Sequence, residues 1–336
     1  MTDAGGQAPF TLPLLLRFPS LAWVPRVRLG AFPTPVESVL TPDGELWIKR
    51  DDLSGTPLGG NKVRALEFLL AGVHQGDHVV TTGARGSTHA LATAVYGRAL
   101  GAKVTVVRWP QEMNAEAYQV AAGIRGIASE VRDARTTLGA LASAALIAIR
   151  RGARWVPPGG TSSRGALGHV NAALELAEQV SAGRLPAPAR IVVPLGSGGT
   201  AAGLALGLAI AGMETTVVCT VVAPRIVANK RRVLGIAARC ARFIEGGVGT
   251  KLPRPDPARV VIDRSQYGGA YGRATATGTE AARWLRDAGG ISTDSTYSSK
   301  ALAAAMLHAA RGRAAGPTLF WLTYDARASM AAVERV

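Results

Sequence analysis

The fold of this chain follows most directly from Ile191-Val192-Val193-Pro194-Leu195-Gly196-Ser197-Gly198-Gly199-Thr200-Ala201-Ala202-Gly203. An apolar run ends in a glycine-rich turn, and small apolar residues continue after it. The pattern predicts a buried strand, a tight turn and a helix. The first N–H groups of a helix have no partner within it, and the helix dipole favours an anion beside them. We therefore expect the loop from Gly196 to Thr200 to bind one phosphate group; a strand–helix turn without a ligand is the alternative.

Strands and helices alternate on both sides of this loop. Short apolar runs such as His78–Thr82, Lys103–Arg108 and Thr216–Val222 are separated by segments with helical periodicity. This alternation predicts an α/β fold with parallel sheets covered by helices on both faces. At 336 residues the chain exceeds the usual size of one core, which predicts two domains. The apolar stretch Ile191–Met213 is long enough for a membrane helix, but its glycine turn favours a strand, a loop and a helix.

A second glycine turn, Pro57-Leu58-Gly59-Gly60-Asn61-Lys62-Val63-Arg64, places a lysine at the start of a predicted helix. The chain has six lysines and 32 arginines. Arginine holds its proton in proteins, whereas a lysine can lose it and form an imine with an aldehyde. Lys62 is therefore a candidate covalent nucleophile, and an ordinary solvated lysine is the alternative. We expect Asn61 to cap the helix.

Composition argues against several other classes of protein. The formal net charge is +15, but the basic residues are scattered, so we expect neither nucleic acid nor a membrane as a partner. The two cysteines and five histidines show no ligand spacing, so we expect no metal. Met1–Pro19 has no basic leader, and a proline breaks its apolar stretch, so it is not typical of a secretory signal. We expect a cytoplasmic protein.

A lysine that can form an imine and a separate loop for one phosphate are what pyridoxal 5'-phosphate needs. The lysine comes early and the loop much later in the chain. In this the sequence resembles the fold-type II pyridoxal-phosphate enzymes, specifically the family of 1-aminocyclopropane-1-carboxylate deaminase and D-cysteine desulfhydrase. The resemblance runs from about Gly30 to near the C-terminus. Its most specific parts are Trp47–Leu53 and Gly59–Arg64, and later matching segments such as Asp294–Ala301 are individually weaker.

The resemblance implies a fold and a set of site residues. The fold would be tryptophan synthase β-like, with two domains that each contain a mostly parallel twisted sheet covered by helices. Residues 1–64 plus 170–336 would form the large cofactor-binding domain, and residues 65–169 the small domain. The residues implied in catalysis are Lys62, Ser87, Tyr271 and Tyr297. The residues implied in cofactor binding are Lys62, Asn61, Thr88, Gly196, Ser197, Gly198, Gly199, Thr200, Ser298 and Thr323.

Departures from the family pattern bear on the substrate. The family loop Gln-Ser-Asn-His is Gly86-Ser87-Thr88-His89 here, and Thr88 is shorter than the asparagine that normally contacts the ring hydroxyl. Asp-Pro-Val-Tyr becomes Asp294-Ser295-Thr296-Tyr297. Ser298 follows, where the deaminases carry Glu and the desulfhydrases carry Thr, which favours the desulfhydrases. Leu322–Asp325 replaces a His-Thr-Gly-Gly-like stretch, and Thr323 within it is a hydroxyl partner for the pyridine nitrogen.

The resemblance implies a lyase that acts on a small amino acid and forms a homodimer. Lys62 would act as general base or acid, and loss of a Cβ leaving group, or opening of a cyclopropane ring, would yield a keto acid and ammonia. Ser87 and Thr88 would hold the substrate carboxylate, while Tyr271 and Tyr297 would move a proton or pack in the cleft. Alternatives are a β-replacement synthase in specialised metabolism, a cofactor-binding homologue with altered activity, and a basic nucleic-acid-binding protein.

Overall fold

The computed structural model describes residues 12–42, 44–311 and 316–325. The strands in these ranges are β1 Val36–Thr41, β2 Gly44–Arg50, β3 His78–Ala84, β4 Lys103–Trp109, β5 Glu130–Asp133, β6 Arg154–Val156, β7 Arg190–Leu195, β8 Thr216–Val221, β9 Val260–Asp263 and β10 Thr318–Leu322. The α-helices are α1 Pro13–Arg17, α2 Lys62–Leu69, α3 Thr88–Ala99, α4 Ala115–Ile127, α5 Thr137–Arg151, α6 Ser163–Ser181, α7 Gly199–Ala211, α8 Lys230–Val248, α9 Ala276–Gly289 and α10 Ser298–Arg311. Short 3-10 helices cover Pro19–Trp23, Asp51–Leu53, Pro158–Gly160 and Pro257–Arg259.

The described strands form two sheets. The larger sheet has the order β1-β2-β10-β7-β8-β9 and is parallel except for the antiparallel β1–β2 pair. The smaller sheet has the order β5-β4-β3-β6 and is parallel throughout. Because ligands of open parallel sheets bind outside the carboxyl ends of the strands, the loops that follow these strands are where a site is expected.

Helices cover both faces of each sheet. On the larger sheet, α6, α7 and α8 build one apolar core, and α9 with α10 builds another on the opposite face. On the smaller sheet, α2, α3 and α4 cover one face and α5 covers the other. The predicted α/β fold with mostly parallel sheets is confirmed. The two sheets suit the expected two-domain division, whose residue boundaries stay a prediction.

Close packing between α6 and α7 fixes where the glycine loop lies. A Cβ added at Gly203 would lie 2.4 Å from Cβ of His169, and one added at Gly207 would lie 2.6 Å from Cβ of Ala173. Only glycine therefore permits this approach of the two helices. The N-terminus of α7, which begins at the end of the loop, is held against α6 as a consequence.

The apolar stretch Ile191–Met213 contains β7, the glycine loop and α7, as predicted. Within the described ranges, no helix combines the length and apolar character needed to cross a membrane. The same ranges hold no cluster of three or more histidine, cysteine or acidic residues suited to a metal ion. The proposed absence of a leader rests largely on Met1–Thr11, which lie outside the described residues.

Several element boundaries differ from the sequence-based expectation. The helical periodicity of Ile226–Ala241 predicts a helix over those residues. The observed helix α8 begins instead at Lys230, because Asn229 caps it through a bond from the Arg232 N–H, and it continues to Val248. The segment Gly246–Asp256, which the sequence predicts as a loop, is therefore helical for its first three residues. The strand β1 has no strong apolar alternation and was not predicted.

Candidate active site

A cavity of about 760 Å³ lies between the two sheets. Its walls come from segments that follow the carboxyl ends of strands in both sheets, including Ser87 after β3, Gly196 after β7 and Thr323 after β10. Its volume lies within the roughly 300–1,000 Å³ typical of small-molecule sites. Every predicted site residue except Ser298 lines it.

Lys62 is one of the residues that line this cavity. Lys62 is the first residue of α2, and its Nζ makes no hydrogen bond or ion pair with any residue in the described ranges. Burial lowers the pKa of Lys62 to about 8. The preceding Gly60 has φ +124°, a left-handed conformation that favours glycine and lets the chain turn into the helix. A neutral amine is therefore accessible near physiological pH, which is what attack on an aldehyde requires.

The glycine loop presents free main-chain donors. The N–H groups from Ser197 to Thr200 donate to no other group within the part of the chain that is described, and the N-cap residue Gly198 offers no side chain. These donors begin the 13-residue helix α7, whose dipole adds positive potential. Free N–H donors at a helix start suit an anion, and the phosphate-binding role expected of this loop stays a prediction.

Two side chains beside the loop were not singled out from the sequence. Arg232 lines the cavity from the first turn of α8, and its Nε donates to the Ser197 carbonyl oxygen at 3.0 Å. Thr161 Oγ1 donates to Ser197 Oγ at 2.6 Å. Arg232 adds a full positive charge next to the free N–H groups. Its only sequence signal is membership of a short basic cluster that follows a strand.

Asn61 does not cap α2, and that prediction is wrong. Its backbone is already in the helical region, and its side chain accepts no hydrogen bond from the helix. Its Nδ2 instead donates to Thr200 Oγ1 at 2.8 Å. This bond ties the residue before Lys62 directly to the phosphate loop. It therefore sets the spacing between the two groups that the cofactor would join.

A hydroxyl pair closes another side of the cavity. Thr323 lines the cavity after β10, and its Oγ1 lies 3.2 Å from Ser298 Oγ. Ser298 is fully buried behind it and donates to the Tyr324 carbonyl at 3.1 Å. Thr323 is therefore the hydroxyl that can touch a ligand, while Ser298 holds it in place. The lining residues of this segment are Thr323 and Tyr324, and neither is an acid.

Two tyrosines form a neutral hydrogen-bonded pair at the cavity wall. The Tyr271 and Tyr297 hydroxyls bond to one another, and their rings meet edge to face with centroids 5.9 Å apart. Burial raises the pKa of Tyr271 to about 12 and raises that of Tyr297 well above its usual value. Both hydroxyls consequently keep their protons near neutral pH. They suit proton donation to a reacting atom more than proton removal.

The loop before α3 has a structural role as well as a cavity position. Ser87 Oγ caps α3 by accepting from the Ala90 N–H at 3.3 Å, and Thr88 is the first residue of the helix. Burial, with the Lys62 charge next, lowers the pKa of His89 to about 3, so its ring is neutral. The start of α3 is therefore uncharged apart from its dipole. This suits a site for a substrate carboxylate.

A buried charge network supports Lys62 from behind. Arg64, two residues after Lys62 on α2, bonds to Asp51 at 2.7 Å and to Glu175 at 2.9 Å, and Lys49 bonds to Glu175 at 2.6 Å. Burial opposes their ionisation, but the Arg64 charge lowers the pKa of Asp51 and Glu175 below their usual values. The Trp321 indole also donates to Asp51 at 2.8 Å. The segment Lys49–Asp52 is thus part of the scaffold and does not line the cavity.

Comparisons with known proteins agree with this geometry. Residues 27–323 match the family described as "Pyridoxal-phosphate dependent enzyme". The chain is 33% identical over 328 residues to a D-cysteine desulfhydrase of Serratia proteamaculans, covering 93% of this chain and 97% of that protein. It is 35% identical over 317 residues to a nocardicin C-9' epimerase of Nocardia uniformis subsp. tsuyamanensis, covering 90% and 94%. A crystal structure of an ACC deaminase homologue superposes with a TM-score of 0.77 at 31% identity, covering 93% of this chain and 95% of that one. This likeness confirms the expected fold type.

Proposed function

Because the chain belongs to the family of pyridoxal-phosphate dependent enzymes, we propose that it is a D-cysteine desulfhydrase-like lyase. Its cofactor is pyridoxal 5'-phosphate, and it is a lyase that acts on a small amino acid. The proposed reaction removes the Cα proton and then a β leaving group, or opens a cyclopropane ring, and water hydrolyses the resulting enamine to a keto acid and ammonia. The observation that carries the proposal is the unpartnered Lys62 amine, tied through Asn61 to a loop of free N–H groups.

Lys62 and the loop would hold the two ends of the cofactor. Lys62 would bond covalently to the aldehyde, and the N–H groups from Ser197 to Thr200 would bind the phosphate. Arg232 would neutralise part of the phosphate charge. When bound, the cofactor draws electrons from the substrate Cα, which makes the Cα proton acidic.

Thr323 would face the pyridine nitrogen. A hydroxyl at this position donates or accepts a hydrogen bond but does not force a proton onto the ring, as an acid would. Ser298 fixes the Thr323 hydroxyl from behind. This arrangement supports elimination over amino-group transfer.

The remaining predicted residues would handle the substrate. Ser87 and Thr88 at the start of α3 would orient its carboxylate beside the helix dipole. Lys62, once released, would remove the Cα proton, since its lowered pKa suits a base near neutral pH. Tyr297, with its proton held and Tyr271 bonded to it, would donate that proton to the leaving sulfur.

A second candidate is epimerisation at Cα. It is favoured by the neutral tyrosine pair, because a base on one residue and a proton donor on another are what inversion of a Cα centre requires. The similarity to a nocardicin C-9' epimerase supports it. In this case the proton would return to Cα and no leaving group would depart.

We place the proposed reaction in the cytoplasm, in a homodimer of this chain. The homodimer is what the resemblance implies, and the cytoplasm is the compartment that we expect from the sequence. Fractionation of the producing cells and light scattering of the purified protein would test them.

The reaction is tested by product analysis of the cofactor-loaded protein. D-cysteine, L-cysteine, β-chloroalanine, D-serine and 1-aminocyclopropane-1-carboxylate would be assayed for keto acid and ammonia, with and without an added thiol. We expect keto acid from at least one β-substituted substrate, without incorporation of the thiol. Tyr297→Phe should lower kcat by about 10²–10⁴-fold, the usual contribution of a general acid, while Tyr118→Phe on the exposed face of α4 should not.

Incorporation of the thiol would replace the lyase with a β-replacement synthase. Loss of a Cα deuterium label and inversion of Cα without keto acid would instead establish the epimerase. No reaction with any of these substrates, despite a bound cofactor, would leave a homologue with altered activity.

A further inference from the structure

We propose that the cavity accepts amino acids with a long apolar side chain as well as small amino acids. The long side chain would lie between two pairs of lining residues, Trp109 with Leu141 on one side and Pro224 with Val227 on the other. This inference rests on the proposed amino-acid chemistry at Lys62 and names a further class of substrate for the same site. It derives from the part of the cavity that these four residues line.

This part of the cavity lies across the smaller sheet from Lys62. Lys62 belongs to α2, which packs on one face of that sheet together with α3 and α4. Leu141 belongs to α5, which packs on the opposite face, where Trp109 joins the same apolar cluster. Both faces contribute lining residues, so the cavity wraps over the carboxyl edge of the sheet. A side chain attached at Cα near Lys62 would have to be long to reach Leu141.

The larger sheet also contributes apolar residues to the lining of the cavity. Pro224 and Val227 follow β8, the strand next to β7, which carries the phosphate loop. Polar residues line this part as well, since Thr137 lies one turn before Leu141 on α5 and Gln111 and Glu112 follow Trp109 closely in the chain.

The two halves of the chain that enclose the cavity are in direct contact, so the cavity is not a gap between parts that fail to touch. The loop before α4 is bonded to the segments around Tyr271 and Tyr297 on the larger sheet. Arg273 Nη2 pairs with Glu112 at 2.9 Å, Asn114 Nδ2 donates to the Gly272 carbonyl at 2.9 Å, and Ser295 Oγ donates to Glu116 at 2.7 Å. The two halves are in contact on this side, and about 760 Å³ remains between them.

The inference is tested by binding of an amino-acid series to the cofactor-loaded protein. Alanine, 2-aminobutyrate, leucine, phenylalanine and 2-amino-4-phenylbutyrate, in both hands, would be titrated by calorimetry and by the change in visible absorption. Each fully buried CH₂ tightens binding about fourfold. We therefore expect the Kd to fall by at least about tenfold from alanine to the longest member in one hand.

Variants locate the bound side chain. Leu141→Trp and Val227→Trp should fill the outer cavity and weaken binding of the long members at least about tenfold more than binding of alanine. Leu138→Trp is the matched control, because Leu138 is exposed on the same helix and does not line the cavity. It should leave the ratio of the two Kd values unchanged. Unfolding temperature and cofactor content would be measured for each variant, and a variant that fails to load would be replaced by Leu141→Phe or Val227→Phe.

The outcomes separate this inference from the proposed reaction. Equal or weaker binding of the long members, with keto acid still released from cysteine, would overturn the inference and leave the lyase intact. Tight binding of the long members without any keto acid would support the inference and overturn the lyase. An unchanged Kd ratio in both filling variants would show that the side chain lies elsewhere and would overturn the assigned walls.

Discussion

Lys62 differs from the buried lysines Lys49 and Lys300 in having no hydrogen-bond or ion-pair partner among the described residues. Lys49 bonds to Glu175, and Lys300 donates to the Tyr267 carbonyl at 3.0 Å, so their charges are used within the protein. The Lys62 amine has no acid or carbonyl partner in the described ranges, and burial alone lowers its pKa to about 8. A buried amine that the scaffold leaves free is available for covalent chemistry.

The rate at which the cofactor-free protein takes up pyridoxal 5'-phosphate should depend on pH in a defined way. The neutral amine is the attacking form, and it becomes dominant above the pKa of Lys62. The rate should therefore rise with pH up to about 8 and then level off. Stopped-flow absorption measures it. A rate still rising tenfold per unit between pH 8.5 and 9.5 would mean that Lys62 titrates near its ordinary value of 10.5.

Replacing Arg232 should weaken cofactor binding without affecting the fold. Arg232 is exposed, so its charge is partly screened, and exposed pairs contribute up to about 1 kcal/mol. We expect Arg232→Ala to raise the cofactor Kd about two- to fivefold, more at low than at high salt. Arg231→Ala, an exposed neighbour that does not line the cavity, is the control. Equal Kd values for the two variants would remove Arg232 from the phosphate site.

At the scale of elements, α2 presents Lys62 because a buried ion network anchors the helix. Arg64 links α2 to Asp51 after β2 and to Glu175 on α6. The first turn of α2 is thus fixed to both neighbours. Removing one partner of such a network leaves an uncompensated buried charge.

Arg64→Met should therefore destabilise the protein by about 3–5 kcal/mol, the usual cost of breaking a buried ion pair. Chemical denaturation of the cofactor-free protein measures the change. Arg283→Met on the exposed face of α9 is the matched control and should change the free energy of unfolding by less than about 0.5 kcal/mol. A loss below about 1 kcal/mol for Arg64→Met would show that the network is not what holds α2.

The sequence predicts local features of the site well and long-range ones poorly. The glycine loop and the turn at Lys62 are patterns of a few consecutive residues, and both line the cavity. The partner of the Asn61 side chain is Thr200, which lies 139 positions along the chain, so capping of the adjacent helix was the natural but wrong expectation. Arg232 and the Lys49–Glu175 pair, 126 positions apart, depend in the same way on how distant elements pack.

At the scale of the whole molecule, the cavity is shared by the two sheets. Thr323 and the glycine loop follow strands of the larger sheet, whereas Lys62 on α2 and Ser87 and Thr88 after β3 approach it from the smaller one. A ligand that touches both sets joins the two halves, as do the bonds from Glu112, Asn114 and Glu116 at its margin. Ligand binding to the folded state alone stabilises that state by mass action.

Loading the cofactor should accordingly raise the unfolding temperature of the whole chain. At a hundredfold excess over the Kd the gain is about 2.7 kcal/mol. Differential scanning calorimetry would record a shift with pyridoxal 5'-phosphate and a smaller one with pyridoxal, which lacks the phosphate. Equal shifts for the two compounds would contradict a phosphate site at the start of α7.

The most direct test of the account is the identity of the residue that carries the cofactor. The protein would be incubated with pyridoxal 5'-phosphate, reduced with borohydride, digested and mapped by mass spectrometry, with Lys62→Ala treated in parallel. The account predicts one stoichiometric adduct on Lys62 and none in the variant. An unmodified Lys62, or an adduct of the same yield on another lysine in Lys62→Ala, would contradict it.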